Sequence, residues 1–159
     1  MSDQRCLLIS PYAKKLRDGN TNPKNFPFWS EVISSFREKG WVVTQIGVTG
    51  EDPLGATYFH QNVPLSTLRD ILKSHTVWAS VDNFFHHFAW YHGVPGVVLF
   101  GKSDPLIFGH DVNLNYIKDR KNLRSRQFLF WEGEPFDPTV FPEPEEVTLL
   151  IESFHRVKT

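Results

Sequence analysis

At 159 residues, 40% of them apolar and 22% charged, the chain has the size and balance of one soluble globular domain. Its formal net charge of −1 excludes the global basic field that holds nucleic acid. A single cysteine excludes an internal disulfide, and no apolar run approaches the ~18 residues of a membrane span.

Cys6 to Ser10 is a short apolar run, as expected of a parallel strand buried on both faces, with Cys6 a small buried hydrophobe. A polar stretch runs from Pro11 to Pro27. Residues 28–40 then place Phe28, Trp29, Val32, Ile33 and Phe36 on one helical face, with Gly40 as the stop. W-V-V-T-Q-I-G (41–47) predicts a second strand that ends in a glycine-rich turn. Residues 64–74 predict a helix with Leu65, Leu68, Ile71 and Leu72 inward. A strand over 77–81, a helix over 83–92 and a strand over 96–100 follow, with Gly93 and Pro95 between the last two. Residues 101–125 read as polar loop and Q-F-L-F-W (127–131) as a last strand. Residues 143–154 open with proline and acids, which suit a helix N-terminus. No repeat or linker divides the chain, so residues 1–159 are read as a single domain.

Alternating strand and helix predicts an α/β fold: one three-layer, Rossmann-like domain with a mostly parallel sheet. Such sheets take ligands at the carboxyl ends of their strands. That rule selects residues 10–27, 47–52, 82–87 and 101–111, which hold most of the unusual polar residues. Fourteen Phe and five Trp are many for this length; such rings fill a core or line a pocket.

The stretch S-V-D-N-F-F-H-H-F-A-W-Y-H-G (80–93) needs separate weighing. His86 and His87 are adjacent and point about 100° apart on a helix, and His87 and His92 are five apart. No cysteine or well-spaced carboxylate completes a ligand set, so no metal site and no cofactor are expected. No G-x-S-x-G elbow exposes a serine. His86 and His92 read as partly buried, hydrogen-bonded residues. Asp82 ends a strand and starts a helix, where it can act as N-cap and leave the next amides free. Free amides and the helix dipole suit a phosphate, and His87, one turn in, can donate to the same anion.

These residues resemble glycosyltransferase family 9, the ADP-heptose:lipopolysaccharide heptosyltransferases, in the C-terminal, nucleotide-sugar-binding half of their two-domain GT-B fold. V-D-N-F-F-H-H-F-A, G-V-P and L-F-G-K-S-D-P (99–105) are similar to the family's D-[ST]-G-x-x-H-x-A, G-x-P and L-F-G-x-T-x-P. K-N-F-P (24–27) is similar to its K-x-W-P, and G-V-T-G-E, ending at Glu51, to its glycine-rich turn. The resemblance implies that Lys24 pairs with a diphosphate and that the amides after Asp82, with His87, hold phosphate oxygens. Asn83, Phe84, Gly101, Lys102 and Ser103 fall on the same phosphate side. Gly47 and Glu51 fall near the ribose or base. Phe84 stands where the family has glycine, so its ring either crowds a phosphate or stacks on a base or sugar.

The resemblance implies a nucleotide diphosphate or nucleotide-sugar as ligand; because it covers one wall of a two-domain cleft, transfer is expected to borrow the second wall from a homodimer or partner chain. The catalytic residue stays unassigned; Asp18, Asp52 and Asp104 are candidate bases. Two other readings stand beside transfer: sequestering or sensing a nucleotide without chemistry, and a scaffold whose pocket has decayed. The segment 103–116, dense in Asn, Asp and His, either closes over a ligand or is a capped loop. The N-terminal M-S-D-Q-R has no signal-peptide pattern, so the expected location is the cytoplasm, with no nucleic-acid or membrane partner.

Overall fold

The computed structural model describes residues 3–158. Its strands are β1 (Cys6–Ser10), β2 (Val42–Gly47), β3 (Tyr58–Gln61), β4 (Val77–Val81), β5 (Val97–Phe100) and β6 (Leu114–Ile117). Its α-helices are α1 (Trp29–Glu38), α2 (Leu65–Ser74), α3 (Phe84–Tyr91), α4 (Pro105–Phe108) and α5 (Pro144–Lys158). All six strands join one sheet in the order β3-β2-β1-β4-β5-β6, and every pairing is parallel. The chain winds outward from β1 to β3, returns beside β1 as β4, and winds outward the other way. That reversal opens a crevice at the carboxyl ends of β1 and β4.

Both faces of the sheet are covered, which is why Leu7, Leu8 and Ile9 of β1 and all of β5 are fully buried. On one face Trp29, Val32, Ile33 and Phe36 of α1 pack with Val147 and Ile151 of α5. On the other, Leu68 and Leu72 of α2 and Phe85, Phe88 and Ala89 of α3 pack on Leu8, Trp78 and Val98. Each large side chain so buried contributes about 1.5–3 kcal/mol. Helix α1 stops where its sequence says it should. Gly40 sits at φ +85, and the amides of Gly40 and Trp41 reach back to the carbonyls of Arg37 and Phe36, each at 3.0 Å. The rings of Phe36 and Trp41, 5.0 Å apart, close that C-terminal motif.

Four expectations need correction, the first being Leu65, expected inward but 60% exposed at the start of α2. β3 and β6 escape sequence reading because they are edge strands, partly exposed and partly polar, with no apolar run to mark them. β6 lies inside the stretch expected to be loop. Residues 127–131 form turns and not a strand. The Arg124 guanidinium donates to the carbonyls of Phe130, Gln127 and Leu129 at 3.0, 3.1 and 2.7 Å, taking the acceptors that a ladder would need. Phe128 there is 81% exposed. Cys6 is partly exposed at the start of β1, not buried. Among the described residues, no helix is long and apolar enough to cross a membrane.

Candidate functional site

The crevice is built on the turn from β4 into α3. Asn83, not Asp82, caps the helix: its Oδ1 accepts the Phe85 N–H at 2.9 Å. Its Nδ2 donates to the Ser10 carbonyl, the Ser10 hydroxyl and the Tyr12 carbonyl at 3.3, 3.0 and 3.2 Å. One side chain therefore ties the loop after β1 to the start of α3. Asp82 is unavailable as a cap because its carboxylate turns inward, where it is nearly buried. It accepts a hydrogen bond from His86 Nε2 at 2.9 Å and lies 3.5 Å from Lys24 Nζ. Burial pushes the Asp82 carboxyl up, but the His86 hydrogen bond, the Lys24 charge and a Ser103 hydrogen bond outweigh it and hold the group below the usual carboxylate range.

Lys24 rides on residues 11–27, which have no helix or strand. Asparagine side chains hold this loop. Asn22 Nδ2 donates to the Lys14 carbonyl at 2.8 Å while its Oδ1 accepts the Lys24 N–H at 3.0 Å, and Asn25 Oδ1 accepts the Ala13 N–H at 2.8 Å. Opposite, Lys24 Nζ lies 5.4 Å from the centre of the Trp131 ring, and the Arg124 guanidinium lies 3.4 Å from it. Between these walls is a cavity of about 530 Å³. Lys14, Lys15, Arg17 and Lys24 line one side, Phe128 to Trp131 the other, and Asp82, Asn83, Phe84 and His87 the base. Four cations against Asp82 and Glu132 leave a field suited to an anion.

A second cavity of about 420 Å³ adjoins the first and shares Lys14, Asn83 and Phe84 with it. Phe84 is 60% exposed and borders both. Gly47 and Glu51 line the smaller cavity with Tyr12, Ile46 and Val63. Glu51 Oε1 accepts the Val48 N–H at 2.9 Å, and a side chain at Gly47 would collide with that carboxylate. Burial pushes the Glu51 carboxyl up, against the pull of the Val48 hydrogen bond and the Lys15 charge.

The sequence-selected residues thus fall into three groups. Lys24, Asp82, Asn83, Phe84 and His87 converge on the larger cavity, and Gly47 and Glu51 on the smaller. Gly101, Lys102 and Ser103 line neither. Ser103 is buried behind the site against Asp82. A Cβ at Gly101 would come within 2.8 Å of the Phe141 ring, so packing demands glycine there. Lys102 Nζ donates to Glu134 at 3.2 Å and to the Pro135 carbonyl at 2.8 Å. The larger cavity is lined by none of the three candidate bases. Arg120 donates to Asp104 through two bonds of 2.9 and 3.0 Å, and Asp18 accepts the Asn20 N–H at 2.9 Å in an exposed turn.

Sequence reasoning missed Lys14, Lys15 and Arg17, although a Lys-Lys pair in the loop after the first strand was a usable signal. It also missed His110, for which only the polar density of 103–116 gave a hint. His110 shares a hydrogen bond of 2.8 Å with His87 and stacks on Trp90 at 4.6 Å. Burial and the neighbouring imidazoles push His87 below its usual value, and burial and His86 do the same to His110.

No family model matches this chain, and no curated protein does. Solved structures match it in fold. A family 9 glycosyltransferase from Veillonella parvula aligns with all of this chain at TM-score 0.67 and 16% identity, over 48% of its own length. The chain carries the fold of one half of a GT-B glycosyltransferase. The dodecameric iron-containing heptosyltransferase TibC, in complex with ADP-D-β-D-heptose, gives 0.64 and 17%, over 100% of this chain and 47% of its own. The E. coli heptosyltransferase WaaC with ADP gives 0.62 and 17%, over 94% and 44%. The chain spans about half the length of each of these proteins. In this half-GT-B fold, the crevice between β1 and β4 is the switch point of the sheet.

Proposed function

We propose that the chain binds a nucleotide diphosphate or nucleotide diphosphate-sugar, of the ADP-sugar kind, as the C-terminal, donor-holding half of a glycosyltransferase-related protein. One observation carries this reading: Lys24, Asn83, Phe84 and His87, from two separate segments, converge on the switch-point crevice. The diphosphate lies over the start of α3, where the helix dipole and Lys24 supply positive charge. Lys14, Lys15 and Arg17 strengthen that field. The nucleoside enters the smaller cavity, with Glu51 near the ribose hydroxyls and the Phe84 ring against base or sugar. Solved neighbours bound to ADP or ADP-D-β-D-heptose direct the search to adenine nucleotides.

In transfer, Lys24 and His87 stabilise the charge of the departing diphosphate. The acceptor needs a second wall, contributed by another copy or a partner domain across the larger cavity. A second reading is sequestration or sensing without transfer, favoured by the position of Asp18, Asp52 and Asp104 outside that cavity. Thermal-shift and calorimetric titration with ADP, ADP-sugars and UDP-sugars, with product analysis, tests both. A ligand at 100 times its Kd adds about 2.7 kcal/mol, a visible shift in Tm. Turnover of a bound sugar nucleotide supports transfer; binding with the ligand intact supports sequestration. Affinity for ADP that is unchanged in Lys24→Ala overturns the phosphate assignment.

A further inference from the structure

Three imidazoles meet beside the larger cavity. His86 and His87 come from the first turn of α3, and His110 from the connection between α4 and β6. One ligand atom from each lies within 4.8 Å of the other two. His87 Nδ1 and His110 Nε2 are 2.8 Å apart, and the His86 ring centre is 4.0 Å from that of His87 and 5.6 Å from that of His110. The expectation that His86 and His87 point too far apart to share an ion is not met, since their rings lie side by side, and the third imidazole arrives from 23 residues along the chain.

His86 carries the argument. It is wholly buried, and its Nε2–H donates to Asp82 Oδ1 at 2.9 Å. That bond leaves Nδ1 as the nitrogen with a lone pair, and this Nδ1 is buried with no hydrogen-bond partner among the described residues. An unpaired buried acceptor is costly to keep unless something fills it. A carboxylate that holds the far nitrogen of an imidazole is also the usual outer support of a metal-bound histidine, since it fixes tautomer and ring plane. His110 is fixed in a different way, by the Trp90 ring stacked on it with an interplanar angle of 7°. His87, by contrast, is exposed and lines the larger cavity.

We propose that His86, His87 and His110 form a three-imidazole site for a divalent cation of the zinc class, with its fourth position open toward the larger cavity. Neutral nitrogen donors suit zinc, cobalt, nickel and copper, whereas magnesium and calcium want oxygen. An ion about 2.0–2.1 Å from each nitrogen draws the donors to about 3.3 Å from one another. His87, the exposed member, makes that adjustment, because Asp82 locks His86 and Trp90 holds His110. The other oxygen of Asp82 faces Lys24 at 3.5 Å, so its charge stands between the ammonium and the imidazoles. The inference rests on side-chain geometry alone and is independent of the nucleotide reading.

The full chain, stripped with EDTA and dialysed, is titrated with cobalt(II) chloride in the absence of nucleotide, and then with zinc(II) chloride. The expected result is one cobalt per chain with visible ligand-field bands that zinc abolishes. His110→Ala, which leaves the His86–Asp82 pair in place, should weaken zinc at least about tenfold, the scale of a disrupted metal environment. His92→Ala, whose ring packs on Phe88, should bind zinc as the parent chain does. Circular dichroism of each variant checks the fold, and ADP titration alongside separates a failure here from a failure of the nucleotide assignment. Absent cobalt bands, or zinc affinity unchanged in His110→Ala, overturns the site and leaves the imidazoles as a hydrogen-bonded cluster around Asp82.

Discussion

Two irregular segments face each other across the crevice, and they present opposite chemistry to it. Residues 11–27 are knit from inside by Asn22 and Asn25, which bond the backbone and leave lysines and Arg17 to line the cavity. Residues 124–131 are knit by Arg124 and Gln127, which take the carbonyls of Lys102, Arg124, Gln127, Leu129 and Phe130 and leave aromatic rings to line it. The same device, side chains satisfying backbone that no ladder satisfies, gives a cationic wall in one case and an aromatic wall in the other. Arg17 and Glu132, the residue just after the second segment, lie 3.9 Å apart. Lys24 and Lys102 sharpen the lesson. Both lie in loops on the carboxyl side of the sheet, Lys24 well after β1 and Lys102 directly after β5, yet Lys24 meets Asp82 and lines the cavity while Lys102 is taken by Glu134 and Pro135 outside it. A lysine's role here is set by where its partners lie.

The largest effect should come from Asp82→Ala. It strips the buried His86 N–H and Lys24 of their shared partner, and loss of about 3 kcal/mol is expected in urea unfolding. Glu134→Ala, on the aromatic side, removes a more exposed carboxylate and leaves Lys102 its bond to the Pro135 carbonyl, so it should cost about 1 kcal/mol. Equal losses would erase the distinction between the walls. Next, Lys24→Ala should weaken ADP by about 10–100-fold, the worth of a charged hydrogen bond. Lys102→Ala should leave ADP affinity as it is; calorimetry that found the reverse order would exchange the roles of the two lysines.

Asn83→Ala removes the helix cap and the tie to the loop after β1. The cap alone is worth about 1 kcal/mol, read as a lower Tm. The smallest and most gradual effect is with pH. His75, His87 and His110 all have lowered values in the folded chain, burial being the first cause in each. The unfolded chain therefore takes protons first, near its ordinary value of about 6.5, so stability is full above that and declines as pH falls through the folded values. Asp82, also lowered, carries the same sign further: its contribution is present above about 3.9 and is lost as pH falls through its folded value. A Tm that rose on acidification from about pH 8 to about pH 5 would contradict the burial of these imidazoles.

The central strands, the buried face of α1 and the Leu68 and Leu72 positions of α2 are legible in the sequence alone, and with them a parallel sheet whose strand-end loops gather at one edge. These are legible because burial on both faces writes a continuous apolar run and burial on one helical face writes a 3.6-residue period, each within a few neighbours of itself. Gly40 is legible for the same local reason, since a left-handed helix stop needs no distant partner. The rest follows from contacts between distant parts of the chain. The edge strands β3 and β6 exist because a neighbour offers them a ladder, not because their own side chains demand one. Residues 127–131 carry an apolar run that reads as a strand, yet Arg124 takes their carbonyls first. Asp82 could have capped α3, but His86 and Lys24 draw it inward and pass the cap to Asn83. Lys102 is turned to Glu134, and His110 is brought to His87, by contacts more than twenty residues apart in the chain. Polar side chains choose among hydrogen-bond partners by proximity in space, and that proximity exists only once the sheet has brought its strand ends together.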